Sequence, residues 1–262
     1  MAKFTLTNDK TEVREATMHV GGSKRLHLAG VGGDKKVLQL DSSSPAAVTP
    51  TLVALFDGPK GIWTVKLSAK AKGKAEIQAK LKGAAVAKVA VTVVEKLVLP
   101  AASGEEGMLV RLFLAENLSP DQTGYDAAKS KTAMQWMRLV LANRLKNNPA
   151  QFGAPKATTI TDIVKAPGQF AGFEKYPTLA ADVSARIDAI VSIVNDDSDA
   201  RQDRYAQFVQ TAMDVAKSTT PVPDPCSTGL YGWRTAGSGS PGPRFVKYGH
   251  PLSGNQFYTL KK

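Results

Sequence analysis

The sequence predicts two domains of different class: an all-β sandwich over residues 1–98, then a mainly α domain over 105–262 that closes in an irregular, aromatic-rich tail. Three observations carry this. Apolar and polar residues alternate with a period of two through much of the first hundred positions, and after LVLPAASGEE the period becomes helical. The Pro-, Gly- and Ser-rich stretch from Thr219 onward still holds Tyr231, Trp233, Phe245, Tyr248, Phe257 and Tyr258, and disordered tails are poor in aromatics. A chain of 262 residues is enough for one large domain or two small ones, each able to bury a core.

In chain order, IWTVKLSAKA, AEIQAKLKG and AVAKVAVTVVE read as half-buried strands. GVGGD (30–34), DSSSPAA (41–47), DGPKG (57–61), KGK (72–74) and KGA (82–84) supply the turns between strands. The glycines of GVGGD do not form a phosphate loop, because no Lys-Ser/Thr pair follows them at the required spacing. The pieces VGGSKRLHLAG, SSSPAAV, KGKAEIQAKLKG and KVAVTVVE, in that order, resemble bacterial immunoglobulin-like domains, which implies a spacer or binding module. In the second part, GMLVRLFLAEN (107–117) is apolar almost all round and predicts a buried helix. Residues 127–147 carry Ala133, Met134, Met137, Val140, Leu141 and Leu145 at spacings of three and four. Asp182–Asn195 and Tyr205–Ala216 repeat that pattern, with Ile187, Ile190, Phe208 and Val209 on their apolar stripes.

The formal net charge is +11, of which +8 falls in residues 1–100 and +3 in the remainder. Much of the excess lies in KLSAKAKGKAEIQAKLKG (66–83). Lysine dominates and no aromatics interleave, so stacking or bidentate base contacts are not expected and nucleic acid is not an expected partner. Anionic wall polymers are compatible with such a charge. No apolar run approaches the ~20 residues needed to span a bilayer. MAKFTLTNDK lacks the apolar core of a secretory signal, so the expectation is a protein made in the cytoplasm without one. Cys226 is the single cysteine, which excludes an intrachain disulfide. His19, His27 and His250 are scattered, with no acidic or thiol partner nearby in sequence, and no metal or other cofactor is expected.

Glu116 is the residue with the clearest chemical promise. It ends an apolar helix, where burial raises a carboxyl pKa toward the range a general acid requires. Around it lies an ordered set: Ala115-Glu116, Asn143-Arg144, Gly168-Gln169-Phe170 and Gly254-Asn255-Gln256-Phe257-Tyr258. This set resembles the SleB-type (spore-cortex-lytic) cell-wall hydrolases. The resemblance implies a lysozyme-like fold, peptidoglycan as substrate and Glu116 as catalytic acid. It departs from the family in lacking a second acid shortly after the glutamate; Asp121 and Asp126 are the nearby acids, and neither is assignable. Any histidine role before the final motif is also missing, since Gly229-Leu230-Tyr231-Gly232-Trp233 stands there. Gln169, Tyr231, Asn255 and Tyr258 are expected to line the cleft, offering hydrogen bonds and stacking faces to sugars.

With one carboxylate candidate, a lytic transglycosylase fits better than a two-carboxylate glycosidase, the substrate's own 6-hydroxyl or acetamido group supplying the second function. The expected role is an antibacterial effector acting in the periplasm or wall of a target cell, with an immunity protein and a secretion-apparatus component as partners. Two alternatives stand beside it: a phage lysis or tail-associated enzyme, and a non-catalytic wall-binding or structural protein with a degenerate hydrolase fold. Cys226 with His250 is a weaker nucleophile pair, because no helical pattern follows PDPCSTG to lower the thiol pKa.

Overall fold

The computed structural model describes residues 1–7, 11–32 and 34–261; Gly33 of the GVGGD turn lies outside the described residues. The chain divides into two compact units, Met1–Leu97 with Ser192–Gln202, and Val98–Val191 with Asp203–Lys262.

The first unit is a two-layer β-sandwich, the architecture of immunoglobulin-like domains. One sheet runs β1 (Lys3–Leu6), β3 (Ser23–Ala29), β6 (Ile62–Ala69), β5 (Val48–Asp57), all antiparallel. The other runs β2 (Glu15–His19), β8 (Ala84–Val94), β7 (Gly73–Leu81), β4 (Leu38–Ser42), with β2 parallel to β8. Alternation decides which atoms meet. In β6, Trp63, Val65, Leu67 and Ala69 face inward, and in β7 Ala75, Ile77 and Ala79 do so. They form one core with Leu26 and Leu28 of β3 and Val89, Val91 and Val93 of β8. The lysines of the 66–83 stretch occupy the complementary positions and lie outside that core, where Lys80 pairs with Asp41 at 2.7 Å.

This unit also closes around a buried polar contact that sequence distance conceals. His19 ends β2, and its backbone N–H donates to Asp197 Oδ2 at 2.8 Å while its Nδ1 lies 2.7 Å from Asp197 Oδ1. Gln202 Nε2 donates to the same Oδ1 at 3.1 Å. The expectation that the histidines lack an acidic neighbour is thus corrected for His19, whose partner comes from 178 positions away. Gly22 is required there by space: a Cβ on it would fall 1.9 Å from Asp197 Oδ2.

The second unit contains α1 (Glu105–Glu116), α2 (Ala127–Lys146) and α3 (Ile160–Lys165), together with most of α4 (Ala181–Val194) and α5 (Gln202–Lys217). Asp126 caps α2 by accepting from the Lys129 N–H, and Thr159 with Asp162 forms a capping box on α3. Met108, Leu109, Leu112 and Phe113 are wholly buried on α1.

The sequence expectation of a mainly α, lysozyme-like domain with an irregular tail is corrected here. The tail is a three-stranded antiparallel sheet ordered β10 (Phe245–Leu252), β11 (Asn255–Leu260), β9 (Gly232–Thr235), so the unit is α+β. The hairpin between β10 and β11 turns on Ser253 and Gly254, both at positive φ (44° and 79°), which is what a two-residue loop matching strand twist demands. Trp136 of α2 packs edge-on against Tyr248 and Phe257, with ring centroids 5.7 and 5.2 Å apart. The tail's aromatics are therefore held as sheet residues against a helix.

Candidate active site

Glu116 is the last residue of α1, and the chain leaves the helix at Asn117, whose N–H still bonds Phe113 O at 3.1 Å. The side chain is partly buried and meets the sheet. Trp233 of β9 donates its indole N–H to Glu116 Oε2 at 3.1 Å, and Asn255 of β11 donates its side-chain amide to the Glu116 backbone carbonyl at 3.0 Å. Phe170 lies against the Trp233 ring, centroids 4.9 Å apart at 35°. Burial pushes the Glu116 carboxyl above its ordinary value; the Trp233 hydrogen bond and the Arg186 charge pull the other way without cancelling it. The carbonyl oxygen of a protonated carboxyl is the better acceptor, so the indole bond to Oε2 favours the acid proton on Oε1.

Arg186, on α4, was not singled out by sequence reasoning. Its Nε donates to Leu114 O at 3.1 Å, and its Nη2 donates to Asn117 O at 2.6 Å and to Ser119 Oγ at 3.2 Å. It therefore caps the carbonyl end of α1 and places a cation near Glu116. The signal was available: Arg186 is the one basic residue in ADVSARIDAIVSIV. The two nearby acids have other work. Asp121 takes Arg204 at 3.0 Å and the Tyr205 hydroxyl at 3.2 Å, and Asp126 is the α2 cap.

Trp233 also lines a cavity of about 350 Å³, together with Arg144, Phe152, Gln169, Arg234 and Arg244 among others. Arg144 is buried, at 6% exposure. Its Nε donates to Tyr231 O at 2.7 Å and its Nη1 to Gln169 Oε1 at 2.9 Å. The guanidinium sits over the Phe152 and Phe170 rings, 5.2 and 5.6 Å from their centroids. Desolvation lowers its pKa to about 10, which leaves it cationic at neutrality.

The expected cleft residues divide. Gln169 reaches the cavity and orients Arg144. Tyr231 is buried with its ring stacked on Phe152, 5.6 Å between centroids at 7°, and its N–H bonds Tyr258 O. Tyr258 is 2% exposed, and its hydroxyl donates to Gly239 O at 2.7 Å. Asn255 is buried and occupied with the Glu116 carbonyl. Of these three only Asn255 meets Glu116, and the two tyrosine rings, being buried, are not open sugar platforms. The thiol of Cys226 is buried and 3.2 Å from Thr228 Oγ1, while His250 lies exposed on β10. Among the described residues no group of three or more His, Cys, Asp and Glu side chains could hold a metal ion. Among the described residues no helix is long and apolar enough to cross a membrane.

No family model matches the chain, and no curated protein sequence matches it. Among solved structures it is similar to domains 4 and 5 of the S-layer protein SbsC (19% identity, 31% of this chain and 42% of that one, TM-score 0.26). Others are the Lin-41 filamin domain (13% identity, 35% and 91% covered, TM-score 0.26) and a chain of the titin M10–obscurin-like 1 Ig complex (16% identity, 37% and 100% covered, TM-score 0.22). The chain spans less than half of the SbsC fragment it matches. The resemblance to SleB-type hydrolases is accordingly corrected: these neighbours are S-layer and filamin or immunoglobulin domains, not lysozyme-like enzymes. The four short motifs that suggested it consist of common residue types. Their convergence around Glu116 and Arg144 is a fact of this fold and carries no family membership with it.

Proposed function

We propose that the second unit cleaves the glycan strands of peptidoglycan, with Glu116 as general acid. The observation that supports this reading is a carboxyl whose pKa burial raises, oriented by Trp233, a residue that also lines a polar cavity. Glu116 Oε1 gives its proton to the bridging oxygen as the bond to the anomeric carbon breaks, and positive charge builds on the ring oxygen and carbon. The ionised carboxylate left behind is stabilised by the Trp233 N–H and by Arg186.

Asp121 and Asp126 are engaged elsewhere, which favours capture of the cation by the substrate's own 6-hydroxyl; its proton passes to the Glu116 carboxylate, restoring the acid and giving a 1,6-anhydro end. Such an activity acts at the cell wall. We assign it the role of an antibacterial effector, with an immunity protein in the producing cell and a secretion component as its partners. The test is digestion of purified sacculi followed by mass spectrometry. Anhydro ends support the reading, reducing ends replace transglycosylation by hydrolysis, and intact strands refute it. Expression directed to the periplasm of a Gram-negative host should lyse cells that tolerate the cytosolic protein, and equal toxicity in both compartments would count against the effector role.

A further inference from the structure

The cavity beside Trp233 gathers three arginines, and no acidic side chain lines it. Arg144 stands at its buried wall, held by Tyr231 O and Gln169. Arg234 and Arg244 are exposed, and their guanidinium hydrogen bonds go to the backbone carbonyls of Ser240 and Gln151 at 3.3 and 3.0 Å. Among the described residues none of the three forms an ion pair with a carboxylate. A guanidinium buried without a counter-ion is costly, and its hydrogen bonds to neutral oxygens return only part of the lost hydration. One buried and two exposed guanidiniums around one concave space match an oxyanion, which arginine binds in a planar, bidentate manner.

We propose that this cavity is a carboxylate-binding subsite, and that it receives an acidic substituent of the same glycan whose bond Glu116 protonates. The proposal rests on the glycan-cleavage reading for its substrate. The cavity and Glu116 have Trp233 in common: its ring lines the one and its indole N–H bonds the other. Two sources of carboxylate exist on such a strand: the lactyl group of a peptide-free muramic acid and the carboxylates of a stem peptide. Their chemistry at the arginines is the same.

The experiment uses the full chain carrying Glu116→Gln, so that binding is measured without turnover. Calorimetric titration is done with a peptide-free disaccharide of N-acetylglucosamine and N-acetylmuramic acid, with its stem-tetrapeptide form, and with each after amidation of the carboxylates. The same titrations are repeated with Arg234→Gln and Arg244→Gln added. Both positions are exposed, and thermal melting checks that the fold is kept.

The expected result is binding of at least one acidic probe, weakened at least tenfold by amidation and by the double arginine substitution. Whichever acidic probe binds identifies the source. Unchanged affinity on amidation, unchanged affinity in the arginine variant, or no binding of any probe at millimolar concentration overturns the proposal. Digestion of sacculi by the unsubstituted protein is scored separately. Cleavage with carboxylate-independent binding leaves the activity standing and removes the subsite. Carboxylate-dependent binding without cleavage keeps the subsite and removes the activity.

Discussion

The two units use positive charge in opposite ways. In the sandwich, Lys66 of β6 and Lys74 and Lys80 of β7 fall at alternate positions outside the core, and the inward positions are apolar. In the α+β unit, Arg144 and Arg186 are drawn into the fold, where they bond backbone carbonyls, an amide and a hydroxyl. A solvated lysine can be changed with little consequence, whereas a buried guanidinium binds its surroundings into one arrangement. Total charge therefore says little about function, and the difference lies in which cations the fold removes from water.

The contrast is most sharply tested at Glu116. Replacement by Gln keeps the shape and removes the proton, so glycan cleavage should fall by about 10²–10⁴-fold with the fold intact, measured as release of soluble fragments from sacculi. The sandwich has its own buried polar contact. Asp197→Ala should destabilise by about 3–5 kcal/mol in chemical denaturation, because it leaves His19 and Gln202 facing an empty site. A smaller loss is expected from Gly254→Ala, about 1–3 kcal/mol, since its φ is 79° and the new Cβ would lie 2.7 Å from Leu118 Cγ.

Acidity supplies the next test. The folded pKa of Glu116 is raised, so its contribution to stability is fully present below the ordinary carboxyl range and is lost as pH rises through the raised value. Melting temperature should thus fall with pH across that window in the parent protein, less so in Glu116→Gln, and cleavage should fall with the same titration. The smallest effect belongs to the outer lysines. Replacing Lys66, Lys72 and Lys74 by Gln should move the melting temperature by less than about 2 °C, and a larger shift would show that the sandwich depends on them.

Sequence reading reached different depths in the two units. Strands β6 to β8 alternate so regularly that their inward faces could be read directly. Helices α1, α2, α4 and α5 announced themselves by apolar spacing. The tail sheet was not readable, because β10 shows no period-two burial, contains Gly249 and Pro251, and shifts register between Tyr248 and Leu252. A Gly-, Ser- and Pro-rich connection over residues 236–244 also separates it from β9.

At the site, Glu116 was found because an acid at the end of an apolar helix is conspicuous. Arg186, Arg234 and Arg244 were passed over, and Arg144 was marked only as part of a motif, because their roles depend on which distant carbonyls and rings they meet. Asp197 was invisible as a partner for the same reason. Tyr231 and Tyr258 illustrate the reverse error: aromatic residues near a site suggest platforms, and only packing shows that their faces are already covered.

Strand β11 comes last in the chain, yet it fixes the first residue of the proposed chemistry. Glu116 receives Trp233 from 117 positions later and Asn255 from 139 positions later. A growing polypeptide on the ribosome therefore carries its acid as an ordinary solvated carboxylate for most of its synthesis. The contacts around that acid are complete only once β9 and β11 are both in place, so a chain that stops short of Asn255 lacks one of them. On the proposed glycan cleavage, every unfinished copy is a copy without its cutting edge.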